Sequence, residues 1–543
     1  MSFFLCVISQ KPFLEWELEK FLQIHPKTAN TIVKPAFYFA YDCREELLYK
    51  KHPTQDDPSL KIVIGHGYLS KNTGYAQADA SDWEKLIKGE YRPSDIDGHY
   101  IALKVRENFL QATNDIYGHC PVYYAQVQDY SIVSNKQDYI AQFLEQKAWN
   151  YPAVAALALL QLPLERQTLL SEISMLQGGS TVTLKRGKFT TTTHKVETYK
   201  DIENQKYLFA LKKAFELQLK PNDCMSLPFE NNHAARFAFS IWCHKAKKIW
   251  GLYHLQGSQH IPEDYLDPFI LSSLKISGVP DLTIADDTFK MYEDFVLYTA
   301  LSSVPDIFTL AGNFKKEKGV NEINLIATHA EILFEKEHTK RVEKLYQILK
   351  SGNFADFKKK YAIENDFYDK EFYALLCKGL ELHFQETYKK IMQNKSNIDD
   401  IYINQWHSMA NATPLAWLNN FRTFYSPAML HSLISMHLQM RHKDKNIGNV
   451  ANELHKTLAT ESTEFPKIIE TKHSYPDTPN KNHAIFPLIE QEIQEMIAQT
   501  ENIPYYKFAN LIKIFKRAKK KSIKDIDKIM KWTAFEIWRK RIE

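Results

Sequence analysis

The sequence predicts two domains: an α+β domain with antiparallel sheets over residues 1–195, and an α/β domain over residues 200–543 that ends in a helical region. Short runs of β-branched and aromatic residues, separated by glycines, predict the strands of the first domain. From about residue 220, predicted strands alternate with predicted helices, which is typical of a parallel sheet. After about residue 335 the spacing of apolar residues is almost wholly helical. A length of 543 residues is sufficient for this organisation.

In the first domain the predicted strands are short and several turns contain glycine. Gly65-His66-Gly67 is interpreted as a turn after a strand, and Arg186-Gly187-Lys188 as the turn of a late hairpin. Helices are expected at Phe13–Phe21 and Tyr151–Leu160. The predicted strands are Phe3–Ile8, Lys61–Ile64, His99–Val105, Phe109–Thr113, Val122–Ala125, Tyr130–Val133, Thr181–Leu184 and Phe189–Thr193.

In the second domain strand and helix patterns alternate along the chain. The predicted strands are Cys224–Leu227, Lys248–Leu255, Asp281–Ile284 and Ile323–Ala327. The predicted helices between them are Ala234–Lys245, Asp264–Ile276 and Phe289–Leu301. Because strands joined through a helix run parallel to each other, these units predict a doubly wound sheet.

Composition and charge argue against several classes of protein. The net charge of +4 is small for this length, so nucleic acid binding is not indicated. The six cysteines are far apart and form no C-x-x-C pair, which indicates neither a zinc site nor a disulfide framework. The first residues lack the basic region and cleavage site of a signal peptide, and the apolar stretch Ala153–Leu164 is too short for a membrane span. We therefore expect a cytoplasmic protein without a metal site.

Five short fragments of the first domain occur in a recognisable order. The fragments are Asp97–Tyr100, Asn114–Tyr124, Ser131–Ser134, Glu172-Ile173 and Gly178–Ser180. Together they resemble the N-terminal domain of asparagine synthetases, in which a glycine-aromatic strand precedes an Asp-Gly-Pro-Tyr-Tyr hairpin and a later Pro-Gly turn. The resemblance implies a class II glutamine-amidotransferase-like domain of the N-terminal-nucleophile type, with two antiparallel sheets.

The resemblance to asparagine synthetases continues in the second domain. Asp223–Lys245 falls where the family has its ATP-pyrophosphatase loop, and Asn321–Ala327 where it has a second acidic nucleotide-site motif. Phe424–His442, with Pro427 and an amphipathic helix after it, resembles the C-terminal core of the family. The resemblance implies an ATP-pyrophosphatase-like, adenine-nucleotide alpha-hydrolase-like domain joined to the first.

The residue that follows the initiator methionine is Ser2 rather than cysteine. Family members that hydrolyse glutamine expose a cysteine there, whose thiol is the nucleophile and whose free amine is the base. Serine performs this chemistry elsewhere among N-terminal nucleophile hydrolases, so Ser2 is a candidate catalytic residue. The alternative is that Ser2 is an ordinary residue at the start of the first strand. Cys6 cannot replace the missing thiol because it has no free amine.

The nucleotide-binding loop of the family reads Ser-Gly-Gly-X-Asp-Ser, and this chain departs from it. The glycines let backbone N–H groups close on phosphate, and the aspartate belongs to the magnesium–pyrophosphate environment. The segment here runs from Ser226 to His233, with Phe229 and Glu230 at the glycine positions and Asn232 at the aspartate position.

Three residues of this segment oppose phosphate binding. Pro228 removes an N–H donor, and Phe229 fills space that a phosphate needs. Glu230 places a carboxylate where an anion should bind, and like charges repel each other. We therefore interpret the segment as a capped strand–helix turn, in which Asn231 or Asn232 caps the following helix, and not as a nucleotide site.

Two further candidate positions come from the resemblance. The acidic Gly-Gly-Asp-Glu motif is replaced by Thr328-His329-Ala330-Glu331, in which Glu331 alone matches an acid. Lys472, in a segment that resembles a late Lys-X-Gly-aromatic motif, is a candidate to stabilise charge during amide formation. The alternatives are a glutamate at a helix start and a solvated lysine.

A basic amphipathic pattern ends the chain at Tyr506–Arg541. Apolar residues recur there at helical spacing among many lysines, namely Phe508, Leu511, Ile512, Phe515, Ile526 and Ile529. The pattern is typical of a helix that either binds a partner, such as another protein, an anionic surface or RNA, or docks by its apolar stripe with a solvated basic face.

These departures leave two main hypotheses of function. In the first, the chain is an asparagine-synthetase-like protein without either catalytic site, a partner or scaffold in a biosynthetic system that needs no cofactor. In the second, it is a divergent ATP-dependent amide-bond-forming ligase of the asparagine synthetase, lasso-peptide-cyclase or polysaccharide amidotransferase type, without glutaminase activity, and requires ATP and Mg²⁺. A glutaminase that uses Ser2 is a third, for which no ammonia acceptor site is evident.

Overall fold

The computed structural model describes most of the N-terminal third of the chain and a set of elements beyond it. The described residues are 2–43, 48–71, 74–160, 164, 167–194, 225–229, 249–254, 288–299, 323–325, 336–362, 367–393, 395–402, 424–425 and 485–542. The predicted helices Ala234–Lys245 and Asp264–Ile276 and the predicted strand Asp281–Ile284 lie outside these residues.

The described part of residues 2–194 consists mainly of strands. They are β1 (Phe3–Ser9), β2 (Asn30–Lys34), β3 (Phe37–Asp42), β4 (Leu48–Lys51), β5 (Leu60–Lys71), β6 (Gly74–Gln77), β7 (Asp97–Arg106), β8 (Phe109–Asn114), β9 (Tyr123–Val127), β10 (Tyr130–Ser134), β11 (Ser174–Met175), β12 (Ser180–Lys185) and β13 (Lys188–Thr193). The helices among them are α1 (Glu15–Ile24), α2 (Ala80–Lys88), α3 (Gln137–Ala141) and α4 (Tyr151–Leu159).

These strands form two antiparallel sheets, as the sequence predicts. The first sheet has the order β11-β9-β10-β1-β3-β2, and the second has the order β13-β12-β8-β7-β5-β4 with β6 paired to β5. Phe4, Cys6 and Ile8 of β1 belong to the apolar cluster that also contains Ile62 of β5 and Leu103 of β7. The two sheets therefore pack face to face around one core.

Helices cover the outer faces of both sheets. Phe3, Leu5 and Val7 of β1 point away from the second sheet, into a cluster that contains Phe21 of α1 and Val154 of α4. On the opposite side Trp83 of α2 packs on Tyr100 of β7, with ring centroids 5.2 Å apart. The order of layers is helix, sheet, sheet, helix, because each strand alternates its side chains between a core face and a helix-covered face.

One turn prediction is wrong. Gly65-His66-Gly67 lies inside β5, where Gly65 pairs with Tyr100 and His66 pairs with His99 of β7. Gly65 is needed for a close approach of two strands: a Cβ there would lie 2.0 Å from the carbonyl oxygen of His99. The hairpin prediction is confirmed, because β12 and β13 are joined by Arg186 and Gly187, both with positive φ.

A parallel sheet of four short strands lies in the second part of the chain. The strands are β14 (Met225–Phe229), β15 (Ile249–His254), β16 (Ile323–Leu325) and β17 (Phe424–Tyr425), in the order β15-β14-β16-β17. All three ladders are parallel, as the alternating pattern predicts. Three of the strands were predicted, and β17 begins the segment that resembles the C-terminal core of the family.

The remaining described elements are helices. They are α5 (Thr288–Thr299), α6 (Lys336–Ser351), α7 (Phe354–Tyr361), α8 (Lys370–Met392), α9 (Ile398–Tyr402), α10 (Glu490–Ala498), α11 (Phe508–Ala518) and α12 (Ile523–Ile542). Among the described residues, no helix combines the length and the apolar character needed to cross a membrane.

The late helices pack directly on the N-terminal part of the chain. Gly379 of α8 is so close to α4 that a Cβ would lie 2.6 Å from the carbonyl oxygen of Tyr151. Trp149, just before α4, packs edge to face against Phe535 of α12 and also contacts Trp538. Residues on both sides of the predicted domain boundary therefore share one apolar cluster.

The apolar stripe of the C-terminal pattern is buried in this cluster. Leu511, Phe515, Ile526 and Ile529 are at most 6% exposed. The pattern therefore forms two helices, α11 and α12, which pack by these apolar residues on the body of the protein.

Candidate functional site

Ser2 lies at the start of β1 and is buried, with 6% of its surface exposed. Its hydroxyl contacts the thiol of Cys43, with 3.5 Å between Oγ and Sγ. Cys43 follows directly after β3, whose Asp42 pairs with Phe3 of β1. The sheet thus places a hydroxyl and a thiol side by side at the end of two neighbouring strands.

Asn135 holds the backbone on both sides of Phe3. Its Nδ2 donates to the carbonyl oxygen of Ser2 at 3.3 Å, and its Oδ1 accepts from the N–H of Phe4 at 2.9 Å. Ser134 adds a hydrogen bond from its hydroxyl to the carbonyl oxygen of Phe4, at 2.7 Å. The start of β1 is therefore fixed by side chains of the segment that follows β10, in addition to its own ladder.

Three histidines come together on the second sheet. His66 of β5 and His99 of β7 are cross-strand neighbours whose ring centroids are 5.6 Å apart. His119, from the connection between β8 and β9, stacks on His99 with a centroid distance of 4.5 Å. All three are at most 6% exposed. Burial lowers the pKa of the His66 imidazole to about 4, so this ring is neutral at pH 7.

Asp115 organises the connection that carries His119. Its carboxylate accepts hydrogen bonds from the backbone N–H groups of Tyr117, His119 and Cys120, at 3.2, 2.9 and 3.0 Å. One of its oxygens also lies 3.1 Å from Nδ1 of His119. A fully buried carboxylate is stable here because several donors surround it.

The histidines and Ser2 lie at the same end of the two-sheet sandwich. Asn114, the last residue of β8, pairs with Ile101 in the second sheet, two residues from His99. The connection then crosses to Tyr123, which pairs with Ser134 in the first sheet, next to the residue that binds Ser2. Both groups point between the sheets, because side chains two residues apart on a strand share a face. Ser2 is two residues before Phe4, and His99 is two residues before Ile101; Phe4 and Ile101 both belong to the core between the sheets.

This end of the sandwich is the best candidate for a functional site. It offers a hydroxyl, a thiol and three imidazoles, which are the kinds of group used as nucleophile and base in acyl transfer. Sequence reasoning selected Ser2 alone. His66, His99 and His119 were present in the quoted segments but were not identified as site residues, because nothing in their spacing shows that three separate segments meet.

No metal centre is found in the parts of the chain that the structure describes: no three His, Cys, Asp or Glu side chains there are placed to hold an ion.

The predicted nucleotide-loop residues are only partly described. Ser226, Pro228 and Phe229 belong to β14, which continues two residues beyond the predicted strand end at Leu227. Pro228 pairs with Tyr253 and Phe229 pairs with His254 of β15. The strand accepts a proline because the ladder to β16 involves Met225 and Ser226 and ends before it. The other candidates, Glu230, Asn232, Glu331 and Lys472, lie outside the described residues.

Comparison with protein-family models gives no match, and comparison with curated proteins gives none either. Among solved structures, one similar chain is an allosteric regulatory enzyme of purine biosynthesis, with 11% identity and a TM-score of 0.21. The aligned part covers 49% of this chain and 62% of that enzyme, which is less than two thirds of its length. Another is the glutamine phosphoribosylpyrophosphate amidotransferase of B. subtilis complexed with ADP and GMP, with 9% identity, a TM-score of 0.20, and coverage of 60% of this chain and 75% of that one.

Proposed function

We propose that this chain is an asparagine-synthetase-like protein that has lost both catalytic sites and acts as a non-catalytic partner or scaffold. The proposal combines the segment resemblance with the chemistry of the two candidate sites. Its first part assigns an N-terminal-nucleophile-like domain to residues 1–195, and its second part an ATP-pyrophosphatase-like domain to residues 200–543.

The observation that carries the proposal is the register of β14. Pro228 and Phe229 pair with Tyr253 and His254 in a parallel ladder, beyond a register shift between Met225 and Ser226. A phosphate-binding loop requires flexible glycines whose N–H groups turn toward the anion. In a strand, by contrast, the N–H groups point toward neighbouring strands, and Pro228 has no N–H at all. Extended backbone through the first glycine-equivalent position therefore supports loss of triphosphate binding.

The Ser2 end of the sandwich supports the loss of glutaminase activity less directly. The hydroxyl of Ser2 contacts the thiol of Cys43, and its carbonyl is held by Asn135. A serine hydroxyl is a weaker nucleophile than a thiolate at neutral pH and needs a base in line with it. With 6% exposure, the residue also has little surface available to a substrate.

The test is a pair of measurements on the purified full-length chain. Isothermal calorimetry with ATP and Mg²⁺ is expected to give no heat of binding, and incubation with glutamine to release no ammonia. An active glutamine-dependent synthetase assayed in parallel establishes the sensitivity of both. Micromolar ATP binding would contradict the proposal.

The alternative is a divergent ATP-dependent amide ligase without glutaminase activity. One observation favours it: β14 lies inside a parallel sheet in which β15 and β16 flank it, and nucleotides bind at the carboxyl ends of such strands. This function requires ATP and Mg²⁺, with Glu331 and Lys472 as candidate site residues. ATP binding without ammonia release from glutamine is the result that would favour it.

A further inference from the structure

The segment between Glu501 and Asp525 is the most uniformly basic part of the chain's end. Residues 502–524 contain eight basic side chains, from Lys507 to Lys524, and no aspartate or glutamate. The segment covers α11 and the turn that leads into α12. Its charge is concentrated, although the net charge of the whole chain is only +4.

The two faces of α11 differ completely in chemistry. Leu511, Ile514, Phe515 and Ala518 are buried and hold the helix on the body of the protein. The exposed side chains Lys513 and Lys516 are three residues apart, which places them on one face of the helix, and the exposed Lys520 follows two residues after the helix ends. The helix is therefore not free to turn an apolar face to a partner, and it offers partners its basic face.

Two of the basic side chains already have acidic partners. Arg517 forms a bidentate salt bridge with Asp525, in which Nε and Nη2 donate to the two carboxylate oxygens at 2.9 Å each. Lys519 lies 2.7 Å from a carboxylate oxygen of Glu490 in α10. These pairs fix the α11–α12 hairpin and remove two charges from the surface available to a ligand.

The other lysines at this end of the hairpin form a group that we call the lysine ridge. It consists of Lys513, Lys516, Lys520, Lys521 and Lys524. All are exposed, and none forms an ion pair with any residue that the structure describes. Five exposed like charges on one helical hairpin repel each other and favour an anionic partner.

An exposed aliphatic side chain lies within the ridge. Ile523 is 57% exposed and stands between Lys521 and Lys524 in sequence, at the first position of α12. Lys521 has a φ of 64°, a left-handed conformation that ends α11 and reverses the chain. The tip of the hairpin thus combines several ammonium groups with one branched aliphatic group.

We propose that the lysine ridge and Ile523 form a docking surface for the anionic phospholipid surface of a membrane. Lysine ammonium groups near a negatively charged bilayer each contribute to binding, and an adjacent aliphatic side chain adds apolar burial at the headgroup level. A nucleic acid is a poorer partner, because bases stack on exposed aromatic and arginine side chains. The aromatic side chains of α11 are partly or fully buried, and Arg517 is bound to Asp525. The proposal is independent of the loss of catalysis.

The experiment measures co-sedimentation of the full-length chain with phosphatidylcholine vesicles that contain or lack phosphatidylserine. We expect binding only to the phosphatidylserine vesicles, and a decrease as salt increases. Each lysine is worth about fivefold in affinity, so replacement of all five ridge lysines by glutamine is expected to weaken binding by about three thousandfold. The variant I523S weakens binding further without a change in charge.

A matched variant provides the control. Lys20, Lys27, Lys34, Lys88 and Lys188 are exposed lysines elsewhere, and their replacement by glutamine changes the net charge by the same amount. This variant is expected to bind phosphatidylserine vesicles like the unmodified chain. An equal loss in both variants overturns the proposal, as does the absence of vesicle binding by the unmodified chain. Binding of an oligonucleotide or an acidic polypeptide, without vesicle binding, also overturns it.

Discussion

The imidazole of His99 stacks on that of His119 with ring centroids 4.5 Å apart and ring planes inclined by 25°. The two rings belong to different elements, a central strand of the second sheet and the connection that crosses to the first. The stack therefore joins the sheets at the end where β1 begins. Both rings are buried.

Lowering the pH is expected to destabilise the fold through His66. Its folded pKa is lowered by burial to about 4, whereas an unfolded histidine has a pKa of about 6.5. The stabilisation is complete above pH 6.5, and it decreases as the pH falls from 6.5 through 4. The expected loss in the free energy of unfolding is up to about 3 kcal/mol. Urea unfolding at a series of pH values measures it.

The variant H66Q tests the origin of this pH dependence. It is expected to make the loss between pH 6.5 and 4 smaller by the contribution of His66, while His383, whose pKa burial also lowers to about 4, still contributes. The variant H52Q, at an exposed histidine, is the matched control. Identical profiles for H66Q and the unmodified chain would show that other groups cause the acid sensitivity.

A buried histidine also connects the N-terminal part to α8. The backbone N–H of Leu164 donates to Nε2 of His383 at 3.1 Å, and burial lowers the pKa of His383 to about 4. The variant H383L leaves that N–H without an acceptor and is expected to reduce the unfolding free energy by about 1–3 kcal/mol. In H383Q the side-chain carbonyl can still accept, so a smaller loss is expected. Equal losses in denaturant midpoints would argue against the hydrogen bond.

Asn135 is expected to be important for the stability of β1. The variant N135L leaves the N–H of Phe4 and the carbonyl of Ser2 without their side-chain partner, so we expect a loss of about 2 kcal/mol in unfolding free energy. The exposed variant Q23L, on α1, serves as control with an expected change below about 0.5 kcal/mol. A midpoint of N135L that matches that of Q23L would contradict this role.

Introducing the residues of the asparagine-synthetase nucleotide loop into this segment is not expected to produce nucleotide binding. The triple variant F229G/E230G/N232D introduces the glycines and the aspartate, but Pro228 still lacks an N–H and pairs with Tyr253 in the ladder. Calorimetry with ATP and Mg²⁺ is expected to give no binding for this variant. Binding after restoration, with none before it, would show that the pocket is otherwise intact and that these three side chains alone block it.

Local sequence patterns predicted many elements of this fold because the determining interactions are local. The hairpin of β12 and β13 follows from Arg186 and Gly187, whose positive φ values suit a two-residue turn. The helix α4 and the strand β1 follow from apolar spacing and residue type, and the alternation of strands and helices predicted parallel ladders for β14, β15 and β16. The apolar stripe of α11 predicted which face is buried.

The candidate site was largely beyond such reasoning. The local sequence predicts a turn at Gly65 and Gly67. In the structure Gly65 allows β5 and β7 to approach closely, and the residues next to it in sequence give no indication of this contact. Likewise, β14 continues through Phe229 because β15 supplies hydrogen-bonding partners from a distant segment.

By itself, the sequence determined the order of elements, the identity of Ser2 and the lysine-rich face of α11, because these depend on residue type and on spacing along one segment. Only the tertiary structure decided that Ser2 contacts Cys43, that His66, His99 and His119 come together, and that α12 packs against Trp149. The physical reason is that such contacts join segments far apart in the chain, and pairing of strands and packing of layers bring them together.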